Sequence, residues 1–240
     1  MANFVRHEPC DRCGSKDNLG VYDDGSTYCF GCHAYHGPST RTSLYRKSHS
    51  CESDRGINLP YDCSTYIPFG PLLWIEKYDL TFNDLQGNHV LWSDSRSLLI
   101  FPYYKEGQII CWQGRYFGDD AGHPKWLTKG PKEPVETIYG AGRHHPSLFL
   151  VEDVISAIKL GKIADTMPLL GCNLSMRKML AIKKKGYKEI VFWLDRDKAS
   201  SAVKQARTAS MIGLSIKQVI TDKDPKDLNT EYLQKTVDSI

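Results

Sequence analysis

The stretch Lys188-Glu-Ile-Val-Phe-Trp-Leu-Asp195-Arg-Asp197 decides the fold of this chain. Its apolar centre, residues 190–194, is short and rich in β-forming side chains, which predicts a buried strand. Two carboxylates, Asp195 and Asp197, follow where that strand should end. In an open parallel sheet, ligands bind at the carboxyl ends of the strands. Two like charges this close together favour a cation between them, and Mg²⁺ is a natural partner for carboxylate oxygens.

Two further strand-like stretches also end in acids. Ser147-Leu-Phe-Leu-Val-Glu152 lies upstream, and Asp222-Lys-Asp224-Pro-Lys-Asp227 follows the strand-like residues 215–220. For any one of these stretches, a polar loop with solvated acids is the alternative. Because three consecutive strand ends each carry carboxylates, the set favours a metal site.

The composition indicates an intracellular folded protein. The chain has 240 residues, 41% of them hydrophobic, and a net charge of +3. We find no apolar run long enough to cross a bilayer and no signal-peptide pattern, so we expect a soluble, cytoplasmic protein. The charge is too small to indicate nucleic-acid binding by itself. In an intracellular chain, the eight cysteines favour metal binding over disulfides.

The N-terminal residues 1–37 contain Cys10-Asp-Arg-Cys13 and Cys29-Phe-Gly-Cys32. Two such pairs, with a hairpin signal at Asp24-Gly25 between them, predict a zinc ribbon in which four thiolates hold a structural Zn²⁺. A segment this short buries little core, so the metal would hold it together. A redox role for either cysteine pair is the alternative.

Residues 38–58 are polar and Ser-rich, which predicts a flexible linker. Residues 59–146 are predicted to form a subdomain with short helices and a hairpin that turns at Lys105-Glu-Gly107. On and after this hairpin, cations alternate with aromatic residues, a pattern suited to phosphates and stacked bases. A solvated hairpin with core aromatics is the alternative. The cations are Arg115, Lys125, Lys129 and Lys132, and the aromatics are Trp112, Tyr116 and Trp126.

Residues 147–240 alternate between strand and helix patterns. Strands are predicted near 147–152, 166–171, 188–195 and 215–220, with helices over 153–161, 175–185, 198–213 and 228–236. This order predicts an α/β domain with a parallel sheet. The chain has no Gly-x-x-x-x-Gly-Lys motif, which excludes a P-loop motor within these residues.

Taken in order, these pieces resemble DNA primases of the bacterial and phage type, which join a zinc-binding domain to a polymerase module ending in a TOPRIM fold. Each motif alone is weak, but the ordered set is specific and covers most of the chain. The matching residues are the four cysteines Cys10, Cys13, Cys29 and Cys32; Ile100-Phe-Pro102 with Gly107 and Gly114-Arg115; Pro124-Lys-Trp-Leu127; Ile138-Tyr-Gly140; Val151-Glu152; Leu170-Gly171; Asp195-Arg-Asp197; and Lys223-Asp-Pro225.

The resemblance implies metal-dependent synthesis of short RNA primers on single-stranded DNA during replication. It implies ribonucleoside triphosphates as substrates and a replicative helicase as a partner in trans, and the short chain hints at a phage-encoded protein acting in the host cytoplasm. The implied catalytic residues are Glu152, Asp195 and Asp197. These three would hold Mg²⁺ or Mn²⁺ together with Asp224 or Asp227, and Arg115, Lys125, Trp126 and Lys129 would bind nucleotide or template.

The chain departs from the family pattern beside the glutamate. Asp153 stands where TOPRIM domains usually carry glycine, and Ser156 stands where a further acid is common. A second reading is a non-catalytic zinc and TOPRIM protein of the recombination-mediator type, which only binds DNA. In mediators the zinc site directly precedes the TOPRIM part, whereas residues 33–146 intervene here. A topoisomerase would need strand-gating domains for which 240 residues leave no room.

Overall fold

The computed structural model forms two compact units, Met1–Ser53 and Asp54–Ile240. Most of the predicted linker, both aspartates of Asp195-Arg-Asp197 and most of the helix predicted over 198–213 lie outside the described residues. The described residues are 3–37, 57–119, 122–133, 135–140, 142, 146–171, 174–194 and 208–240.

The smaller unit holds a four-stranded antiparallel sheet in the order β1-β2-β3-β4. The predicted hairpin at Asp24-Gly25 is confirmed, because β2 and β3 pair across it. Gly25 has φ of +79°, which glycine adopts without strain, and the Ser26 N–H donates to Asp24 Oδ1 at 2.9 Å. The strands are β1 (Phe4–Glu8), β2 (Leu19–Tyr22), β3 (Thr27–Cys29) and β4 (Tyr35–His36).

The larger unit begins with a five-stranded antiparallel sheet in the order β5-β6-β7-β8-β9. Its central hairpin, β7 to β8, turns at Glu106-Gly107 with φ of +51° and +79°, as the sequence predicted. Two short helices lie between β5 and β6 in sequence. The elements are β5 (Cys63–Ser64), α1 (Phe69–Glu76), α2 (Phe82–Gly87), β6 (Leu91–Ser93), β7 (Leu98–Lys105), β8 (Gln108–Tyr116) and β9 (Trp126–Lys129).

A second sheet of the larger unit is parallel throughout, with the order β11-β10-β12-β13. This sheet and its helices confirm the predicted α/β class and match a TOPRIM-like arrangement. A 3₁₀ turn, Pro225–Asp227, precedes the last helix, and residues 208–211 are helical. The elements are β10 (Ser147–Val151), α3 (Val154–Leu160), β11 (Thr166–Pro168), α4 (Met176–Lys184), β12 (Glu189–Trp193), β13 (Ser215–Val219) and α5 (Thr230–Asp238).

One hydrophobic core joins the two sheets of the larger unit. Leu99, Phe101 and Tyr103 alternate along one face of β7 and pack in the same cluster as Phe149 and Val151 of β10. The shared core fixes the end of the β8–β9 hairpin beside the parallel sheet.

The opposite face of the antiparallel sheet has its own smaller core. Leu98, Ile100 and Trp112 form it, with Ile57 packed against them. The Trp112 indole N–H donates to the Asn58 carbonyl at 3.2 Å. Residues 57–58, placed in the linker by the sequence, therefore pack on this sheet.

The Ile138-Tyr-Gly140 stretch connects the subdomains. Tyr139 is buried and exchanges two backbone hydrogen bonds with Thr166, at 2.8 and 2.9 Å. Gly140 has φ of +76°, and a Cβ there would lie 2.2 Å from the Gly161 carbonyl oxygen. Only glycine fits this approach. Within the described ranges, no helix is long and apolar enough to span a membrane.

Candidate functional site

The four predicted zinc ligands lie together in the smaller unit. Their sulfur atoms are all within 4.8 Å of one another, with 3.7 Å between Cys10 and Cys32 and 3.6 Å between Cys13 and Cys29. Tetrahedral zinc with Zn–S bonds of about 2.3 Å would separate its sulfurs by about 3.8 Å. The cluster therefore has the donor atoms and the spacing to bind zinc.

Local backbone turns aim these sulfurs inward. The Gly14 N–H donates to the Cys10 carbonyl at 2.8 Å, and the His33 N–H donates to the Cys29 carbonyl at 2.7 Å. The Cys32 N–H points at Cys29 Sγ, 3.5 Å away, and this contact lowers the pKa of the Cys29 thiol to about 6. A lowered pKa favours the thiolate, which is the form that binds metal, whereas burial and contacts with neighbouring thiols raise the pKa of Cys13 and Cys32.

The predicted acidic residues that the structure describes follow strands that end at the carboxyl edge of the parallel sheet. Strands β10, β12 and β13 run side by side, so their carboxyl ends share one edge. Glu152 directly follows β10. A cleft of about 690 Å³ opens beside the ends of β12 and β13, and it is lined by Trp193, Leu194, Thr221, Asp222, Lys223, Asp224, Pro225 and Asp227.

A smaller cavity, about 180 Å³, links this edge to the antiparallel sheet. Glu152 and Asp153 line one side, and Gln113 and Trp126 of the β8–β9 hairpin line the other. The candidate acid and the aromatic residue predicted to stack on bases therefore border one space. Asp195 and Asp197 follow β12 in sequence but lie outside the described residues.

Both carboxylate oxygens of Asp153 accept hydrogen bonds within the fold, which gives a structural reason for aspartate at a position where TOPRIM domains usually carry glycine. Its Oδ1 accepts the N–H groups of Ile155 and Ser156 at 2.9 and 3.0 Å, so it caps the N-terminus of α3. Its Oδ2 accepts the Ser156 hydroxyl at 2.9 Å and the Lys226 ammonium at 3.0 Å.

Two lysines that the sequence analysis did not single out hold the acidic turn. Lys226 bridges Asp153 and Asp224, and although burial lowers its pKa, the two carboxylates outweigh that effect and raise it. Lys159 is 3% exposed and donates to Asp79 Oδ2 and to the carbonyls of Lys226 and Leu228. The sequence did offer one signal for Lys159, since it is the charged residue of α3 and the other residues of that helix are apolar or small.

Arg115 lies in a cage of aromatic rings. Its guanidinium carbon is 5.3 Å from the ring centroid of Trp74, 5.9 Å from Trp126 and 6.0 Å from Phe117. Such contacts attract a cation to the ring faces and fix its orientation. The cage brings together two residues predicted to bind nucleotide or template, Arg115 and Trp126.

The other two predicted binding residues do not join the cage. Lys129 and Trp126 are three positions apart on β9, so strand alternation places their side chains on opposite faces of the sheet. Lys125 directly precedes β9, and both lysines are exposed. The structure thus places Trp126, which contacts Arg115, beside the acidic edge and leaves the two lysines exposed at the surface.

No protein-family model and no curated protein match this chain in sequence. Among solved structures, the chain is similar to the primase fragment of the bacteriophage T7 primase-helicase protein, with a TM-score of 0.50, 15% identity and 99% of each chain covered. It also aligns with a structure of the bacteriophage T7 lagging-strand DNA polymerase with primase domains of two gp4 subunits, at a TM-score of 0.43 and 13% identity, covering 99% of this chain and 96% of that one. The first likeness confirms the predicted resemblance to phage-type primases in fold.

Proposed function

We propose that the chain is a DNA primase that joins ribonucleotides into short RNA primers on a single-stranded DNA template. One observation carries the proposal. The carboxylates that follow β10 and β13 lie along one edge of the parallel sheet, and Trp126 of the Arg115 cage borders that edge. Nucleotidyl transfer needs such an acidic metal site beside groups that hold phosphates and bases.

Within this proposal, Glu152, Asp195 and Asp197 are the catalytic residues, and either Asp224 or Asp227 completes the set that holds Mg²⁺ or Mn²⁺. A bound divalent metal would stabilise the charge that develops on the triphosphate. Glu152 either positions the metal or removes the proton from the primer 3′-hydroxyl. Arg115 would contact a phosphate, Trp126 would stack on a base, and Lys125 and Lys129 would attract the template backbone.

The smaller unit would bind Zn²⁺ through its four cysteines and contact the template. The similar T7 fragment belongs to a primase-helicase protein. By analogy, we infer that a replicative helicase acts with this chain in trans.

Primer synthesis is the direct test. Zinc-loaded protein would be given single-stranded templates of varied sequence, labelled ribonucleotides and Mg²⁺ or Mn²⁺, with and without a helicase. We expect short RNA products, and we expect the double variant Asp195→Ala with Asp197→Ala to lose about 100-fold or more of this activity.

Asp238→Ala is the matched control, because Asp238 ends α5, outside the residues that line the cleft. This variant should keep wild-type activity. Template binding by a folded, zinc-loaded wild type without incorporation under any of these conditions would contradict the proposal. That result would favour the non-catalytic, mediator-type reading.

A further inference from the structure

Lys226 places a positive charge inside the acidic edge. Its Nζ donates to Asp153 Oδ2 at 3.0 Å and also contacts Asp224 Oδ2. Asp153 comes from the start of α3, directly after Glu152, and Asp224 comes from the turn that follows β13. The ammonium group therefore joins two of the strand ends that the acidic edge brings together.

Both ends of Lys226 are held in place. Its side chain is 23% exposed and is fixed by the two carboxylates. Its backbone carbonyl accepts the Lys159 ammonium at 3.0 Å, and Lys159 itself is buried. An exposed ion pair is worth little because its side chains must be ordered in water. Here the neighbouring contacts already order Lys226, so its bridge differs from an ordinary surface pair.

We propose that Lys226 is a positioning residue of the acidic cleft, whose ammonium group takes the place of one divalent cation between Asp153 and Asp224. It holds residues 222–227 in their cleft conformation before any metal binds. This inference rests on the proposed function only in assigning divalent metal to the cleft.

The bridge also bears on the choice between the two terminal acids. Asp224 is already matched with the Lys226 ammonium, whereas Asp227 is exposed and lines the same cleft. A divalent ion bound beside Asp224 would lie close to the ammonium charge and would be repelled by it. The proposal therefore assigns the terminal metal contact to Asp227.

Mn²⁺ binding to the zinc-loaded full chain tests whether the Lys226 ammonium takes the place of a divalent cation. The comparison is between wild type and Lys226→Gln, measured by titration calorimetry and by the paramagnetic resonance of unbound Mn²⁺. Removing the ammonium should make Mn²⁺ binding at least about tenfold tighter, with or without an additional ion per chain. If the wild type binds Mn²⁺, unchanged or weaker binding by Lys226→Gln would overturn the proposal.

The control is Lys235→Gln, which removes the same charge from the exposed pair of Lys235 with Glu231 on α5. It should leave both the affinity for Mn²⁺ and the number of bound ions at their wild-type values. An equal change in both variants would indicate general electrostatics and would also overturn the proposal.

Asp153→Asn breaks the bridge from the other side and keeps the helix cap, since asparagine caps as well as aspartate. Thermal unfolding without added divalent metal would compare this variant, Lys226→Gln and the double variant. Each single change should lower the midpoint by about 2–4 °C, and the double change should lower it no further than the larger single change. Additive effects would contradict positioning by the bridge.

The two measurements separate this inference from the proposed function. The unfolding cycle needs no divalent metal and no primer synthesis. Suppose the unfolding effects of Asp153→Asn and Lys226→Gln are fully non-additive, but the wild type binds no Mn²⁺. That result would support the positioning role of Lys226 and contradict the proposed metal chemistry. If Lys226→Gln does not fold, Mn²⁺ binding to Asp153→Asn should differ from wild type in the opposite direction, because this change removes a carboxylate and leaves the ammonium.

Discussion

Arg115 and Trp126 face each other across the β8–β9 ladder, with the guanidinium carbon of Arg115 5.9 Å from the centroid of the Trp126 ring. The pairing joins a fixed cation to a ring that is 36% exposed. A base that stacks on the exposed part of the ring would bring its phosphate near the guanidinium. The contact therefore has the components of a single-strand binding platform.

Arg115→Met should weaken single-stranded DNA binding and reduce its dependence on salt. Methionine keeps apolar contact with the rings but removes the charge, so the slope of log K against log salt should fall by about 0.7 if one phosphate contact is lost. Fluorescence anisotropy over a range of salt concentrations measures this slope. Arg177→Met, at the surface of α4, is the matched control, and an equal loss in both variants would argue against a specific role for Arg115.

Cys29→Ser should abolish stoichiometric zinc binding and unfold the smaller unit. Cys29 is fully buried, and among the described residues its hydrophobic cluster has Cys10 and Ala34 as the other buried members, so little besides the metal holds this unit together. Elemental analysis and thermal unfolding would show the loss. Cys63→Ser, in β5 of the larger unit, should retain one zinc per chain. Retention of zinc by Cys29→Ser would refute the four-cysteine site.

Lys159→Met should destabilise the larger unit by about 2–3 kcal/mol. The change removes the ammonium group that donates hydrogen bonds to the backbone carbonyls of Lys226 and Leu228 and to the Asp79 carboxylate. Asp79→Asn should cost less than about 1 kcal/mol, since the Asp79 side chain is 60% exposed and water can replace its contact. Urea unfolding compares the two variants. Equal losses would mean that the ion pair, rather than the carbonyl contacts, carries the stabilisation.

Asp62→Asn should remove part of the acid sensitivity of the larger unit. The Ser95 N–H at 2.6 Å and the Ser93 hydroxyl at 2.7 Å lower the pKa of Asp62 to about 2. Because the folded pKa lies below the ordinary value of 3.8, ionised Asp62 contributes stability that is present above about pH 4 and lost as the pH falls towards 2. Melting midpoints of wild type and variant should therefore differ at pH 6 and converge near pH 2. A difference that stays constant over this range would contradict the assignment.

Much of this fold was predictable because its signals are local. Residues 148–151 and 190–194 are short apolar runs bounded by polar residues, and both contribute strands to the parallel sheet. The cysteine spacing and the Asp24-Gly25 turn predicted the smaller sheet in the same way. In each case, the decisive interactions lie within a few residues of sequence.

The contacts that organise the acidic edge were not predictable, because they join distant residues of ordinary type. Nothing in the sequence pairs Lys226 with Asp153, which is 73 positions earlier. From the sequence alone, each of the cations near β9 was an equally good candidate to bind phosphate, and only the strand pairing distinguishes them. Strand pairing placed Arg115 beside Trp126 and left Lys129 on the opposite face.

Lys159 has a consequence for the order in which the protein is made. Its three acceptors lie 80 positions before it and 67 and 69 positions after it. When α3 has just emerged from the ribosome, Asp79 has already emerged, but Lys226 and Leu228, whose carbonyls accept from Lys159, have not been synthesised. The ammonium group therefore cannot enter the interior with its full set of partners until the last strand and the turn after it have been added. Nascent chains would carry a formed antiparallel sheet long before an assembled acidic edge, and premature termination before residue 228 would remove at least one carbonyl that Lys159 requires.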